Sequence, residues 1–302
     1  DLIRNHLMIG LNKEKQEHIY EIYWKKIEKN TINKDLNYNK TSDFIRNYLI
    51  LKFNQPVNES SVYQSFKKYF PRESYDELIN LLSEILDYSW HYAKILNVDL
   101  EQDKEIKQHL IYFQDLNVGV IYPFLMQIYH DYINKKISKE ELIEVYEIVQ
   151  SYLFRRYVVN LPTKSLNKVF PYIYKDVNLN DYVNSINLSF SKRTGEARFP
   201  NDEDVKQALV TRELYNRSGL KRLMYCLMRL EYFKNKEPVD IKASNLTIEH
   251  IFPQTPHKEW LEDMDKVEYG NFTKKYLNTI GNLTLSGNNA GLGNKSFKKK
   301  RN

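Results

Sequence analysis

Thr247-Ile-Glu-His-Ile-Phe-Pro-Gln254 is the stretch that decides how the last third of this chain is read. Leu246-Thr-Ile-Glu-His-Ile251 alternates and is rich in β-prone residues, which predicts a short strand. Pro253 fits a strand giving way to a loop, because proline cannot donate to a sheet ladder. Downstream, Gly281-Asn-Leu-Thr-Leu285 places the partner strand at Leu283–Leu285, across an irregular insertion. Phe297 to Arg301 would begin a closing helix. A carboxylate beside a histidine, followed by the spaced asparagines Asn282 and Asn289, is the set of groups that a compact metal-dependent phosphodiesterase site would need. Cutting a phosphodiester requires an activated water, charge stabilisation on the phosphoryl oxygens and help for the leaving oxygen. Imidazole exchanges protons near neutral pH, which fits His250 as the general base. Glu249 can offer a hard divalent cation its carboxylate. Neighbouring side chains on a strand face opposite ways, so this pair can share a site only where the strand ends or twists.

Charge along the chain supports a polyanion partner. The net charge of +6 is modest, but no acidic residue follows Glu268. Lys274, Lys275, Lys295, Lys298, Lys299, Lys300 and Arg301 all do. Seven cations without counter-charge form an electrostatic footprint for a polyanion, with a solvated tail as the competing reading of the final basic run.

Composition sets the outer bounds. At 302 residues the chain can hold a large helical domain and a small appended one. Its 42% hydrophobic and 28% charged residues are ordinary for a globular protein, and 24 tyrosines supply ample core material. No apolar run approaches the roughly 20 residues that cross a bilayer, which excludes a transmembrane reading, while the low cysteine content fits a reducing, cytoplasmic setting. The single cysteine, Cys226, excludes an internal disulfide framework and a cysteine-based zinc knuckle. It sits in apolar Leu223-Met-Tyr-Cys-Leu-Met228, as a buried structural thiol would. The chain opens on Asp1 with no signal segment after it, and it is expected to be a piece of a longer protein.

Residues 1–195 read as a succession of amphipathic helices. The spacing predicts them over Asp1–Gly10, Glu14–Lys29, Thr41–Phe53, Ser60–Phe70, Ser74–Leu96, Asp103–Leu116, Tyr122–Lys135, Lys139–Val159, Thr163–Tyr174 and Leu179–Leu188. Ser191–Arg198 suits a linker. A second domain is expected over 196–302, opening with helices at Val205–Tyr215 and Leu220–Phe233. The fold class is mainly α, a multi-helix domain followed by a small α+β domain. His6, His18, His91, His109 and His130 lack metal-ligand spacing and read as structural, and His257 reads as a capping or surface residue.

The ordered set His250-x-x-Pro253, then Ile280-Gly-Asn-Leu-Thr-Leu285, then Asn289 and Asn294-Lys-x-Phe297 resembles the HNH (ββα-metal) domain of GmrSD-like restriction proteins. That resemblance covers 199–301. It implies a metal-dependent DNA endonuclease of bacterial anti-phage defence, cutting or nicking DNA that carries modified bases. It assigns the metal to Glu249 and Asn289, with Asn288 or Asn294 as alternatives to Asn289, and the general base to His250. It gives Asn282 the task of tying the loop and orienting the base. A carboxylate and an amide oxygen, completed by water and phosphate, suit one Mg²⁺ or Mn²⁺. It also implies that the last helix continues past the final residue of this sequence. Asp1-Leu-Ile-Arg-Asn-His-Leu7 resembles the end of the ParB-like domain that precedes such nucleases and uses nucleotide. This sequence has no glycine-rich phosphate loop, so a nucleotide would bind only through that missing domain. The competing reading is a non-catalytic helical DNA-binding or interaction module carrying a degenerate HNH fold.

Overall fold

Helices dominate the computed structural model, which describes residues 1–34, 38–71, 74–233, 235, 246–262, 265–287, 291 and 293–296. Packing divides the chain into two compact units. The first comprises 1–114, 118–149 and 162–198, and the second comprises 115–117, 150–161 and 199–302. The architecture is mainly α with a small α+β part at the C-terminal end.

The first unit is built from α1 (Leu2–Met8), α2 (Lys13–Ile19), α3 (Lys25–Asn30), the hairpin β1 (Ile32–Asn33) and β2 (Tyr38–Asn39), then α4 (Thr41–Phe53), α5 (Val62–Tyr69) and α6 (Tyr75–Leu96). After these come α7 (Lys104–Leu116), α8 (Tyr122–Ile133), α9 (Lys139–Val158), α10 (Phe170–Ile173) and α11 (Tyr182–Ser191), with the ends of α7 from Asp115 and of α9 from Gln150 counted in the second unit. Local chemistry sets the boundaries. Ser74 and Glu77 close a capping box on α6, each satisfying an amide of the other's end of the turn. Gly10, with φ of 77°, takes the left-handed conformation just past α1.

Aromatic rings fill the core of this unit. Phe44 lies 5.4 Å from Tyr92, and Tyr48 lies 5.7 Å from Tyr88. Such pairs contribute about 0.5–1.5 kcal/mol beyond the area they bury. Several of the tyrosine hydroxyls are tied to buried acceptors. Asp131, fully buried, accepts from Tyr174 at 2.6 Å, Tyr182 at 2.7 Å, and both Gln127 and Lys136 at 3.1 Å. Glu101 accepts from Tyr129 at 2.6 Å and Lys94 at 3.1 Å. Both buried carboxylates are thus compensated, as low-dielectric burial demands.

The backbone departs from the sequence reading in three places. Glu14–Lys29 is not one uniform helix, because a π-helical turn at Tyr20–Trp24 joins α2 to α3. Thr163–Tyr174 forms 3₁₀ turns on either side of the one-turn α10. Pro171 lacks the amide that an α-helix through this segment would need. The hairpin of β1 and β2 was not anticipated, since two-residue strands carry no alternation to detect.

His91 and His130 are expected to make this unit acid-sensitive. Their rings meet at 3.2 Å, Nε2 of His91 to Nδ1 of His130, with Tyr88 stacked on His130 at 4.5 Å. Burial pushes His91 down to about 3, and the neighbouring His130 and Lys94 add to the effect. Burial lowers His130 as well, against the opposing pull of Asp131, Asp87 and Glu84. The unfolded chain therefore takes up these protons first. The contribution to stability is complete above the unfolded value near 6.5 and is lost as pH falls toward 3. One such histidine gives a slope of about 1.4 kcal/mol per pH unit within that window. Urea melts of His91→Gln between pH 7 and pH 4.5 should show a shallower decline than the parent protein, and equal declines would refute the assignment.

The second unit contains α12 (Asp202–Thr211), α13 (Leu220–Tyr232), β3 (Thr247–His250), α14 (Lys258–Leu261), α15 (Lys266–Lys275) and β4 (Leu283–Ser286). Asn201 caps α12, accepting from Asp204 N at 2.8 Å, with three acidic residues in the first turn where the helix dipole favours them. Leu214, Leu223, Leu227 and Leu283 form the core, and Ile248 and Leu285 pack against it from the strands. Cys226 is buried, and burial pushes its thiol up to about 12, so it is inert at neutral pH. Among the described residues, no helix is long and apolar enough to cross a membrane.

Candidate active site

β3 and β4 pair antiparallel in the register Thr247↔Ser286, Ile248↔Leu285, Glu249↔Thr284 and His250↔Leu283. One face of this hairpin is pinned by Ile248, Leu283 and Leu285 on the leucine core. The register cannot slip, because a one-residue shift would turn those side chains outward. Glu249 and His250 both lie within the paired strand, so their side chains leave it on opposite faces, His250 on the side of Ile248.

Both members of the acid–histidine pair are buried, Glu249 at 8% and His250 at 7% exposure. His250 is held on two sides. The ring of Tyr215 meets it edge-on at 4.5 Å, and its Nε2 lies 3.1 Å from Oδ1 of Asn278. With Oδ1 as the acceptor, Nε2 carries the proton and the basic lone pair sits on Nδ1. Asn278 also fixes the backbone behind the ring, its carbonyl accepting from Leu214 N at 2.9 Å and Tyr215 N at 3.2 Å. Sequence reasoning gave Asn278 no role. The available signal was an amide inside the apolar run Tyr276-Leu-Asn-Thr-Ile280, four residues before Asn282.

Asn282 acts on the loop that follows β3. Its Oδ1 accepts from Phe252 N at 2.7 Å, and its Nδ2 donates to Phe252 O at 3.0 Å and Leu277 O at 2.8 Å. Its backbone carbonyl accepts from Ile251 N at 2.9 Å. The side-chain bond on the imidazole comes from Asn278, while Asn282 locks the peptide two residues beyond it. Phe252 then anchors the insertion, with Trp260 at 5.0 Å, Phe272 at 4.9 Å and Tyr269 at 6.2 Å. The insertion is more regular than the sequence reading implied. α15 fills its second half, closed at its start by a capping box between Asp265 and Glu268. His257 caps α14, with its Nδ1 3.5 Å from Glu259 N.

Asn288, Asn289, Lys298, Lys299, Lys300 and Arg301 lie outside the described residues, as does the expected closing helix at Phe297–Arg301. Asn294 is exposed in a turn. Lys274 and Lys275 stand exposed on the last turn of α15, where the helix dipole favours cations. Lys295 is exposed, and its carbonyl accepts from the Trp260 indole at 2.8 Å. Among the described residues, no three His, Cys, Asp or Glu side chains converge as a closed zinc centre would need.

The small antiparallel hairpin thus carries a buried Glu249 and a buried His250, with Asn278 bonded to the imidazole and Asn282 to the loop that follows. Residues 199–302 match the family model described as GmrSD restriction endonucleases, C-terminal domain. This C-terminal region is GmrSD-like, and the match suggests a nuclease role in restriction, with DNA as the substrate such a domain implies. No curated protein matches the chain.

Proposed function

We propose that residues 199–302 are an HNH-type, metal-dependent DNA endonuclease that cuts or nicks phosphodiester bonds in bacterial anti-phage defence, directed at modified DNA. The observation that carries this reading is His250 at the end of β3, gripped by Asn278 and Tyr215 next to the buried Glu249. Nδ1 of His250 takes the proton from the attacking water. Asn278 keeps the proton on Nε2, so the imidazole meets water in its basic tautomer. Asn282 is a positioning residue that holds the loop backbone in place.

The donor chemistry fits one Mg²⁺ or Mn²⁺. Glu249 would supply a buried carboxylate and Asn289, outside the described residues, would supply an amide oxygen, a sparse hard-oxygen set that leaves room for water and phosphate. When bound, the cation supplies charge stabilisation to the phosphoryl and leaving oxygens. Nicking of plasmid in Mg²⁺ or Mn²⁺, lost in EDTA, tests this reading. A protein that binds DNA and never cuts it under any of these conditions would be the non-catalytic module instead.

If Glu249 and Asn289 hold the same cation, Glu249→Gln and Asn289→Ala should each raise the Mg²⁺ midpoint of cleavage, in the same direction. A midpoint that moves with Asn294→Ala and stays fixed with Asn289→Ala would reassign the amide ligand.

The basic end is proposed to track the DNA backbone through Lys274, Lys275, Lys295, Lys298, Lys299, Lys300 and Arg301. Affinity should then fall steeply with salt and vary little with base sequence. Each phosphate contact removed lowers the log–log salt slope by about 0.9 on duplex DNA. Neutralising Lys298, Lys299 and Lys300 together should flatten the slope on every sequence, whereas an unchanged slope would make this run a solvated tail.

A further inference from the structure

Beside the end of β3 the second unit opens a cleft of about 650 Å³, lined by Val210, Ile251, Phe272, Tyr276, Gly281 and Asn282 among others. Two of its apolar side chains lie open to water, Val210 at 59% and Ile251 at 40% exposure. Its volume falls within the roughly 300–1,000 Å³ of ordinary small-molecule sites. We propose that this cleft receives an unpaired nucleobase of DNA.

The wall chemistry favours a flat aromatic guest flanked by negative charge. Phe272 and Tyr276, with ring centroids 6.0 Å apart, both line the cleft as half-buried rings. Exposed aromatic faces stack bases without regard to sequence. Lys275 lies beside one of these rings, its Nζ 4.9 Å from the Tyr276 ring centroid, and Lys274 precedes it on α15. A cation beside a stacking ring is the pairing that single-stranded nucleic acid requires, ring for base and ammonium for phosphate. A Cβ at Gly281 would meet no atom within 4 Å, so the glycine leaves the cleft wall open to a planar ligand.

Base identity is not read here. The Asn282 amide is committed to Phe252 and Leu277, and the Thr279 hydroxyl donates to Tyr276 O at 2.9 Å. The Asn282 and Thr279 side chains thus already spend their donors on the protein, which leaves the Tyr276 hydroxyl as the other polar group of the lining. Stacking dominates, and any base should serve. The cleft adjoins the chemistry through the chain itself, since Ile251 lines it and directly follows His250. A base drawn out of the stack into this cleft would bring its own backbone phosphate toward the strand end. Unstacking costs least where the base is mismatched or the strand is single.

The inference rests on residues 199–302 acting on DNA, so its test separates binding from cutting. Single-stranded oligonucleotides carrying one 2-aminopurine are titrated with the whole protein in EDTA, reading fluorescence quenching and affinity. The parent protein should quench the probe. Val210→Trp, which plugs the cleft from an exposed position, and Tyr276→Ala should each lose about 10-fold or more in affinity, while Tyr276→Phe retains it. A strand abasic at every position should bind the parent protein as weakly as the intact strand binds the plugged variant. Equal affinity for abasic and intact strands, or unaltered binding by Val210→Trp, would overturn the proposal. A self-association that Val210→Trp abolishes while base binding stays unchanged would overturn it too, assigning the cleft to a second copy. Loss of cleavage in Mg²⁺ with base binding intact would instead count against the nuclease reading alone.

Discussion

Alanine in place of His250 is expected to lower phosphodiester cleavage by about 10²–10⁴-fold, the usual effect of losing a general base. DNA affinity should stay close to that of the parent protein, because the imidazole is 7% exposed and presents almost no surface to the backbone. The substitution also strips Asn278 Oδ1 of its partner and leaves a gap against Tyr215. Part of any loss could then come from a displaced loop. His250→Gln separates the two effects, since its side-chain amide can still donate to Asn278 but cannot accept a proton from water. A general base predicts that both variants are equally dead. A purely structural histidine predicts that glutamine rescues most of the activity. Cleavage by the alanine variant within a factor of two of the parent would remove His250 from the chemistry.

The parts of this architecture legible in the sequence are those where one residue's chemistry dominates its surroundings. β3 and β4 were readable because Ile248, Leu283 and Leu285 alternate with residues that the leucine core does not take. The long helices α6 and α9 announced themselves through sustained apolar spacing. What escaped was decided by partners far along the chain. Asn278 touches His250 across 28 residues, and no local pattern reports that contact. The His91–His130 pair is likewise formed by two helices 39 residues apart, although each histidine alone reads as structural. α15 was hidden because its mixed face, Lys266-Val-Glu-Tyr-Gly-Asn-Phe-Thr-Lys-Lys275, buries no residue fully and so has weak periodicity. The roles of Glu249 and Asn289 rest on the resemblance, since a carboxylate and an amide have many uses in any sequence.

Asn282 is where fold and chemistry meet, and Asn282→Ala is expected to cause the largest local loss of stability. Its side chain satisfies Phe252 N, Phe252 O and Leu277 O, all at 3.0 Å or less, at 5% exposure. Alanine would leave these three backbone groups unpaired or reliant on water, at about 1–3 kcal/mol for each buried group left unsatisfied. Even with partial rescue by water, a loss of about 3 kcal/mol follows. Asn282→Asp should fare no better. A carboxylate can accept from Phe252 N, but it faces the carbonyls of Phe252 and Leu277 with nothing to donate. Because the chain packs as two units, a single global melt does not isolate this effect. Amide hydrogen exchange does, and the Phe252 amide should lose protection in both variants while the amides of α6 keep theirs. Cleavage should fall in both, because the loop carrying Ile251 and Phe252 begins at His250 and no longer has a fixed course. Unchanged protection at Phe252 would mean that the hairpin and the aromatic cluster of Trp260, Tyr269 and Phe272 hold the loop without the clamp.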